Sequence, residues 1–331
     1  MEMVRDELEA LARRLSVRAD VLEKVVRLLD VLRRMQESEE IRRSYALKGG
    51  TALNVFWLPL PRLSIDIDIN FVGEVASEAL TVHRTAFEQH VFRACQLAGC
   101  RVLRSPHQHA GGKSRLRFAS TFGGEQNLEL DISYVARVPL FGLVERGAAL
   151  HDFEGTTTMT YTLPELAAGK FTALLARTVA RDRFDATRLL AMDPELLERQ
   201  EFRTAFVCHA AADRKDARQF SAELAPMPVQ EVRNKLVPVL REAMEPLARD
   251  SRALAQQLGF ALEGVAERLT RWSDAELGFL EALMDHGELK PELLTPEPEL
   301  QRRIAAQPML RWKQKNVRQH KGRIQPIDKN S

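Results

Sequence analysis

Two carboxylates two residues apart, Asp66 and Asp68, stand in a stretch that alternates polar and apolar side chains. Residues two apart on a strand share a face, so the alternation predicts a strand over residues 64–71 with Ser64 and Asn70 on the same face. Neighbouring carboxylates repel each other unless a cation lies between them. Mg²⁺ is the natural cation, because it binds through one or two carboxylates together with substrate phosphates. The pattern therefore indicates phosphoryl transfer.

A second predicted strand, residues 127–135, carries Glu129 and Asp131 on its polar face. If this strand lies beside the first, one of these acids can reach the face of Asp66 and Asp68. Three carboxylates could hold two metal ions, one activating an attacking hydroxyl and the other neutralising a leaving pyrophosphate. Asp131 or Glu129 could also act as the base on an acceptor hydroxyl. Taken alone, Asp131 would be read as a solvated acid at a strand edge.

The run Gly49-Gly50-Thr51 precedes a predicted helical segment, residues 52–56. Because glycine has no Cβ, the backbone can approach a ligand closely, and a helix N-terminus presents free N–H groups to phosphate. The hydroxyl of Thr51 could add a hydrogen bond. Such a run alone is most often a turn. Its place before an Asp-x-Asp strand predicts a phosphate-binding turn.

A cluster of charged residues follows the predicted strands, and it includes Lys170, Arg177, Arg181 and Asp185. On a continuous helix the three cations would share one face, since they are spaced by nearly whole turns. Lysine offers a point charge to a triphosphate, and arginine can hold phosphate with two hydrogen bonds. Asp185 could hold one of these cations in place. The alternative is a solvated helix face with pairs such as Arg181–Asp185.

Composition sets the broad class. The chain has 331 residues, a net charge of +2 and a hydrophobic content of 45%, which is typical of a globular protein. No apolar run approaches the ~20 residues that span a bilayer, so we expect no membrane association. The first residues lack the apolar core of a signal peptide, and the three cysteines lack metal spacing. We therefore expect a cytoplasmic protein.

Positive charge is concentrated in residues 301–331, which contain nine Lys or Arg residues and one acid, Asp328. Cations there flank an aromatic ring, an arrangement that suits a phosphate backbone with a base stacked on the ring. A solvated basic end would have the same composition. The candidate RNA-binding residues are Arg311, Trp312, Lys313, Lys315 and Arg318.

Periodicity predicts an α+β chain. A mixed sheet with flanking helices is expected over residues 1–160, a helical unit over residues 161–300 and a basic tail over residues 301–331. Within the helical part, long helices are predicted over residues 164–180 and 229–247. The C-terminal half would then contribute the lysine, arginine and aspartate cluster to a site on the sheet.

Two motifs resemble the signature of the AbiEii/AbiGii toxin family, which are nucleotidyltransferase-like toxins of bacterial toxin–antitoxin and phage-defence systems related to the MenT toxins. The motifs are Leu47-Lys48-Gly49-Gly50-Thr51-Ala52-Leu53 and Arg62-Leu63-Ser64-Ile65-Asp66-Ile67-Asp68-Ile69. The resemblance continues through Lys170, Arg177 and residues 181–185, and it reappears at residues 309–313. It implies the mixed sheet of a DNA polymerase β-like nucleotidyltransferase followed by a helical half.

The resemblance also implies roles for the site residues. By the resemblance, Gly50 and Thr51 occupy the phosphate-binding turn. With the residue patterns above, the candidate nucleotide- and phosphate-binding residues are Gly49, Gly50, Thr51, Ser64, Lys170, Arg177 and Arg181. The metal ligands are Asp66 and Asp68, with Asp131 as the third acid. Lys170 and Asp185 fall on the remaining active-site positions.

Members of this family transfer a nucleotide from an NTP with Mg²⁺, for which Mn²⁺ could substitute. Several modify the 3′ end of tRNA and so stop translation. A cognate antitoxin restrains the toxin, in some systems by binding and in others by phosphorylating a serine beside the catalytic strand. Ser64 occupies that place, and a phosphate there would repel the metal–NTP complex.

The leading interpretation is therefore a Mg²⁺-dependent nucleotidyltransferase toxin that acts on RNA, and on tRNA first. One alternative is transfer to a protein or to a small molecule such as an antibiotic. Another is a non-catalytic nucleic-acid-binding module that keeps the fold. The presence of every residue that the chemistry needs argues against the last alternative.

Overall fold

The protein contains one mixed sheet and an extended helical half. The structure, a computed structural model, describes residues 3–73, 80–104 and 111–324. Its strands are β1 (Tyr45–Leu47), β2 (Asp66–Phe71), β3 (Arg101–Arg104), β4 (Gly111–Ala119), β5 (Glu125–Ser133), β6 (Leu143–Gly147) and β7 (Thr157–Tyr161). They form a seven-stranded sheet in the order β3-β4-β5-β2-β1-β7-β6.

Helices precede, interrupt and follow the sheet. They are α1 (Arg5–Leu15), α2 (Ala19–Glu37), α3 (Gly49–Thr51), α4 (Leu80–Leu97), α5 (Leu163–Ala176), α6 (Ala180–Met192), α7 (Gln200–Ala212), α8 (Val229–Glu231), α9 (Ser251–Phe260), α10 (Val265–Thr270), α11 (Asp274–His286), α12 (Pro298–Ala306) and α13 (Pro308–Ile324). A π-helix, Ala52–Trp57, continues α3 directly. None of these described helices combines the length and apolar character that crossing a bilayer requires.

The sheet has one apolar and one polar face. Ile67, Ile69 and Leu130 are fully buried and belong to a core that also contains the apolar stripes of α1 and α2. Because side chains alternate along a strand, the acids of β2 and β5 lie on the opposite face. The N-terminal helices therefore cover one face and leave the other for the site.

Strand β2 is shorter than the sequence predicts. It begins at Asp66, so Ser64 precedes the strand instead of lying within it. The reason is that the backbone before the strand binds elsewhere: the Leu63 N–H donates to the carbonyl of Val239 over 2.7 Å. Beyond Asp66, β2 runs parallel to β5, with Asp68 directly opposite Asp131.

Two predicted helices of the C-terminal half end early. The helix predicted over residues 229–247 breaks into short turns, because Pro238 has no N–H and its ring clashes with the preceding turn. Helix α5 ends at Ala176, and Arg177 is extended. Two β-branched residues follow Arg177, and these disfavour helix continuation.

The predicted basic tail is helical over most of its length. Helices α12 and α13 occupy it, and Ile304 and Leu310 are buried in a second core with α5, α7 and α11. Residues 325–331 lie outside the described part of the chain. Leu53 and Leu58, from the first 160 residues, also pack in this second core. The division into three units therefore stays a prediction.

A buried hydroxyl ties the Gly49-Gly50-Thr51 turn to β2. Thr51 is fully buried, and its Oγ1 donates to the carbonyl of Asp66 over 2.5 Å. The same oxygen lies 3.0 Å from Oγ of Ser64, in a second hydrogen bond. The Thr51 hydroxyl therefore fixes the turn against β2, and its role in binding phosphate stays a prediction.

Replacing Thr51 with valine keeps the shape of the side chain but removes these hydrogen bonds. We expect the free energy of unfolding to fall by about 1–3 kcal/mol, because two buried polar groups lose their partner. Urea unfolding checks this value. The matched change at the exposed Thr178, to valine, should alter stability by less than about 0.5 kcal/mol. Equal effects of the two changes would contradict the role given to Thr51.

Candidate active site

The polar face of β2 and β5 brings the three predicted metal-ligating acids together. Asp68 lies opposite Asp131 on the neighbouring strand, and Asp66 lies two residues before Asp68 on the same face. Burial raises the pKa of Asp68, and the negative charges of Asp66 and Asp131 raise it further, against the opposing charge of Lys48. The three carboxylates are thus close enough to repel one another.

Glu129 occupies a different environment from Asp131. It lies opposite Asp66, it is exposed, and Nζ of Lys113 donates to it over 3.2 Å. Asp131 instead lies close enough to Asp68 for its negative charge to raise the pKa of Asp68. Between the two candidates for the third acid, the geometry therefore favours Asp131.

The residues on this face fit a divalent metal ion of the Mg²⁺ type. All the donor atoms are carboxylate oxygens, and their mutual repulsion would be relieved by a cation. Within the described ranges, no three His, Cys, Asp or Glu side chains form a ready set of ligands. Mg²⁺ commonly takes only one or two carboxylates and completes its coordination with water and substrate phosphates. Asp66, Asp68 and Asp131 suit that mode.

The Gly49-Gly50 turn packs directly against the acids. Gly49 has a φ of +69°, and a Cβ there would lie 2.5 Å from Oδ2 of Asp68. At Gly50 a Cβ would lie 2.7 Å from Nη2 of Arg62 and 2.9 Å from Oγ of Ser64. Side chains are excluded at both positions, so the backbone of the turn can approach the carboxylates and any phosphate bound there.

Lys170 is held by two carboxylates that follow it in the chain. Its Nζ lies 2.9 Å from Oδ1 of Asp182 and 2.8 Å from Oδ2 of Asp185. Asp182 also accepts a hydrogen bond from Nε of Arg177 over 2.7 Å. Although burial opposes ionisation, the charges of Lys170 and Arg177 hold the pKa of Asp182 below its usual value. Lys170 is therefore fixed in a single direction, and it borders the same cavity as Gly49.

The sequence did not identify the residue that completes this cluster, Arg62. Its Nε and Nη2 each donate to the Asp185 carboxylate over 2.7 Å, and both side chains are buried. Despite burial, the charges of Arg62 and Lys170 hold the pKa of Asp185 well below its usual range. Nδ2 of Asn54 donates to Asp185 over 3.1 Å and to the carbonyl of Gly50 over 2.9 Å. Asp185 thus connects Lys170, through Asn54, to the Gly49-Gly50 turn.

The predicted cationic face of Lys170, Arg177 and Arg181 does not form, because α5 ends before Arg177. The Arg181–Asp185 pair is also absent, since Asp185 binds Arg62 and Lys170. Arg181 instead begins α6, and its Nη1 lies 3.8 Å from Oδ2 of Asp66. Arg181 thus approaches an acid of β2, whereas Lys170 and Arg177 both pair with Asp182.

The candidate RNA-binding residues lie on α13. Trp312 is 55% exposed, and Arg311 and Lys315 are exposed beside it. Two others are docked on the helical half, and Nζ of Lys313 donates to the carbonyl of Asp213 over 2.8 Å. Nε of Arg318 likewise donates to the carbonyl of Gly287 over 2.7 Å. The helix therefore presents a fixed surface on which cations flank a ring.

Comparison with known proteins decides the family. The family model described as the nucleotidyl transferase AbiEii toxin of type IV toxin–antitoxin systems matches residues 30–308. The chain belongs to this family. The AbiEii-family chain is accordingly a nucleotidyltransferase, and its toxin–antitoxin system includes a cognate antitoxin. Curated protein sequences yield no match.

A solved structure supports the fold. The chain is similar to MenT4, a nucleotidyltransferase toxin from Mycobacterium tuberculosis H37Rv, with a TM-score of 0.55 and 17% sequence identity. The match covers 90% of this chain and 98% of the other. The predicted α+β nucleotidyltransferase fold and the predicted family are both confirmed.

Replacing Asp185 with asparagine removes a buried charge that two cations share. At pH 7 we expect the free energy of unfolding to fall by about 3–5 kcal/mol, because Arg62 keeps a buried charge without its partner. The pKa of Asp185 is lowered in the folded protein, so its stabilisation is present above the unfolded pKa of about 3.9. It is lost as the pH falls toward the folded pKa. Below about pH 4 the difference between variant and wild type should therefore shrink.

Urea unfolding at several pH values measures this difference. The control is Glu267→Gln, which removes an exposed pair with Arg271 and should change stability by less than about 1 kcal/mol at any pH. A difference between Asp185→Asn and wild type that stays constant from pH 7 to pH 3 would contradict the charged role of Asp185.

Proposed function

We propose that this AbiEii-family enzyme transfers a nucleotide from an NTP to RNA, at the 3′ end of tRNA, and so inhibits translation in the cytoplasm. The observation that carries the proposal is the register that sets Asp68 opposite Asp131, with the Gly49 turn packed against Asp68. This arrangement combines paired carboxylates with a backbone that a triphosphate can approach. The membership of a toxin family supports a target on which growth depends.

Asp66, Asp68 and Asp131 are the residues that would hold Mg²⁺, with Mn²⁺ as a substitute. When bound, the metal would activate the acceptor hydroxyl and neutralise the negative charge of the leaving pyrophosphate. The turn at Gly49 would position the phosphates beside these acids. The enzyme's own residues thereby supply the alignment that in-line displacement needs.

Lys170 would bind the triphosphate. An ammonium group has three N–H donors, and Asp182 and Asp185 account for two of them, which leaves one for a phosphate oxygen. The cluster of Lys170, Arg62 and Arg177 with these two acids keeps one net positive charge. It therefore attracts an anion even though its members are paired with one another.

In the proposed reaction the terminal hydroxyl oxygen of the acceptor forms a bond to the α-phosphorus of the NTP. The bond from that phosphorus to the β-phosphate oxygen breaks, and pyrophosphate leaves with the electron pair. Asp131 would accept the proton of the hydroxyl. Lys170 and Arg177 would stabilise the charge that develops on the phosphates.

Two features favour RNA as the acceptor over a protein or a small molecule. The exposed cations Arg311 and Lys315 flank Trp312, and this set matches a phosphate backbone with a stacked base. Helix α13 also begins at the active site, because Met309 and Leu310 border the same cavity as Lys170. An acceptor bound along α13 would therefore have its end near the acids.

Phosphorylation of Ser64 is the proposed route of antitoxin control. A phosphate there would stand beside Thr51 and the Gly50 turn and would repel the metal–NTP complex. Ser64 is only 4% exposed, so the segment before β2 must open before a kinase can reach it. Unchanged transferase activity in a fully phosphorylated sample would contradict this route.

Removing any of the three acids should abolish transfer. We expect Asp66→Asn, Asp68→Asn and Asp131→Asn each to lower kcat at least ~100-fold. The reason is that each change removes a negative charge that would hold the metal ion beside the reacting groups. The assay follows labelled NTPs with total tRNA and Mg²⁺, and chelation of the metal should stop the reaction.

The matched variant Glu129→Gln tests the choice of the third acid. Glu129 lies on the same strand face as Asp131 but pairs with Lys113, so this variant should retain activity within about threefold of wild type. Loss of activity in Glu129→Gln with activity kept in Asp131→Asn would reverse the assignment. Label on a protein or a small molecule, with none on tRNA, would overturn the RNA acceptor.

Neutralising the exposed cations of α13 should weaken RNA binding alone. We expect Arg311→Ala with Lys315→Ala to raise the KM for tRNA about tenfold and to reduce the salt dependence of binding, with the KM for the NTP unchanged. The control is Arg302→Ala on α12, an exposed arginine that pairs with Glu299. Equal changes in both KM values would argue against an RNA surface on α13.

A further inference from the structure

A cavity of about 370 Å³ opens beside the phosphate turn, between the sheet and the helical half. Lys48, Gly49 and Lys170 border it on the side of the acids. Its other walls are mainly aliphatic and include Leu53 and Leu310. This volume falls within the ~300–1,000 Å³ typical of small-molecule pockets. A triphosphate bound at Lys170 would have its nucleoside at the mouth of this cavity.

Asn70 places one polar side chain in the cavity wall. It lies on the same strand face as Asp68, about 7 Å further along β2. The side chain is 2% exposed, and its Nδ2 donates to Oη of Tyr161 over 2.7 Å. Tyr161 has a single hydroxyl proton, which it donates to the carbonyl of Ala136 over 2.7 Å. Tyr161 can therefore only accept from Asn70, and this fixes which end of the amide faces it.

The fixed amide leaves an unpaired acceptor. Within the described residues, Oδ1 of Asn70 has no hydrogen-bond partner. A buried acceptor without a partner is costly, so this group in a cavity wall is suited to a ligand donor, which reaches the closed-off Oδ1 once the wall shifts slightly. An amide locked by its neighbour can distinguish a donor from an acceptor, since it cannot turn to present its NH₂ group.

His209 provides a second polar group in the same wall. Its ring lies beside Gly169, which precedes Lys170, and no hydrogen bond to it occurs within the described part of the chain. Burial, assisted by the charge of Lys48, lowers the pKa of His209 to about 4. The imidazole is therefore neutral at pH 7 and offers one donor and one acceptor. A neutral, flat heterocycle with polar edges matches these groups and the aliphatic walls.

We infer that this cavity binds the base of the incoming nucleotide and that Asn70 selects a base with an amino group. The inference rests on the proposed function. The fixed Oδ1 accepts from an amino group and faces an unfavourable contact with a carbonyl at the same position. Tyr161 acts as a positioning residue, because it holds the amide of Asn70 in the selective orientation.

Equilibrium binding of nucleotides with Mg²⁺ and without RNA tests the inference. ATP and purine riboside triphosphate differ by one amino group alone. CTP and UTP differ by an amino group in place of a carbonyl, together with an N3 acceptor in place of an N3–H donor. We expect wild type to bind the amino-bearing member of at least one pair at least about tenfold more tightly. In Asn70→Ala that ratio should fall close to one. In Tyr161→Phe it should also fall, because the freed amide can turn.

Two controls separate selection from damage to the fold. Tyr45→Phe removes the hydroxyl of another buried tyrosine, on β1, which bonds Thr158 and does not line the cavity. It should keep the wild-type ratio. Inorganic tripolyphosphate should bind wild type, Asn70→Ala and Tyr161→Phe equally, because it contacts only the phosphate side of the site.

An unchanged ratio in a folded Asn70→Ala protein would overturn the inference, and so would equal binding of both members of both pairs by wild type. A change confined to the KM for RNA would overturn it as well, since the cavity would then hold the acceptor's terminal base. Base-selective binding without transfer to any acceptor would support the inference and overturn the proposed function.

Discussion

Arg62 and Lys170 both donate to the Asp185 carboxylate, and the position of the candidate active-site residues depends on this buried arrangement. A buried carboxylate is stable only when cations and hydrogen bonds compensate its charge. Arg62 precedes β2, Lys170 lies in α5 and Asp185 lies in α6, so three distant segments must meet for compensation to occur. The helical half is thereby fixed against the sheet at the point where the Gly49-Gly50 turn is packed.

The arrangement also separates the charges of the site. Lys170 is held by Asp182 and Asp185, which lie on the helical side. Within the described part of the chain, Asp68 and Asp131 form no salt bridge on the sheet side, although they lie opposite each other. The sheet therefore offers negative charge to a metal ion while the helices offer positive charge to phosphates. A metal–triphosphate complex matches both, because its cation suits the carboxylates of the sheet and its phosphates suit the cations of the helices.

Local sequence periodicity predicted the acids of the site but not their partners. Alternation identified the face of Asp66 and Asp68 and that of Glu129 and Asp131, since a strand's period of two is visible within a few residues. That the two strands pair, with Asp131 opposite Asp68, is seen only in the structure. The pairing of Arg62 with Asp185 spans 123 residues and leaves no local pattern. The break of α5 before Arg177 was missed because helical spacing continues past it. Nor does the local pattern show that Ser64 is buried, because the backbone bond of the adjacent Leu63 is to Val239, far along the chain.

The central claim is that one site between the Gly49 turn, the acids of β2 and Lys170 binds the metal–triphosphate complex. A crystal structure of the protein with Mg²⁺ and a non-hydrolysable α,β-methylene NTP tests it most directly. The account predicts phosphate oxygens in contact with Nζ of Lys170 and the Gly49 turn, and the metal ion on Asp66 and Asp68. A nucleotide bound elsewhere, with Lys170 still held only by Asp182 and Asp185, would contradict it.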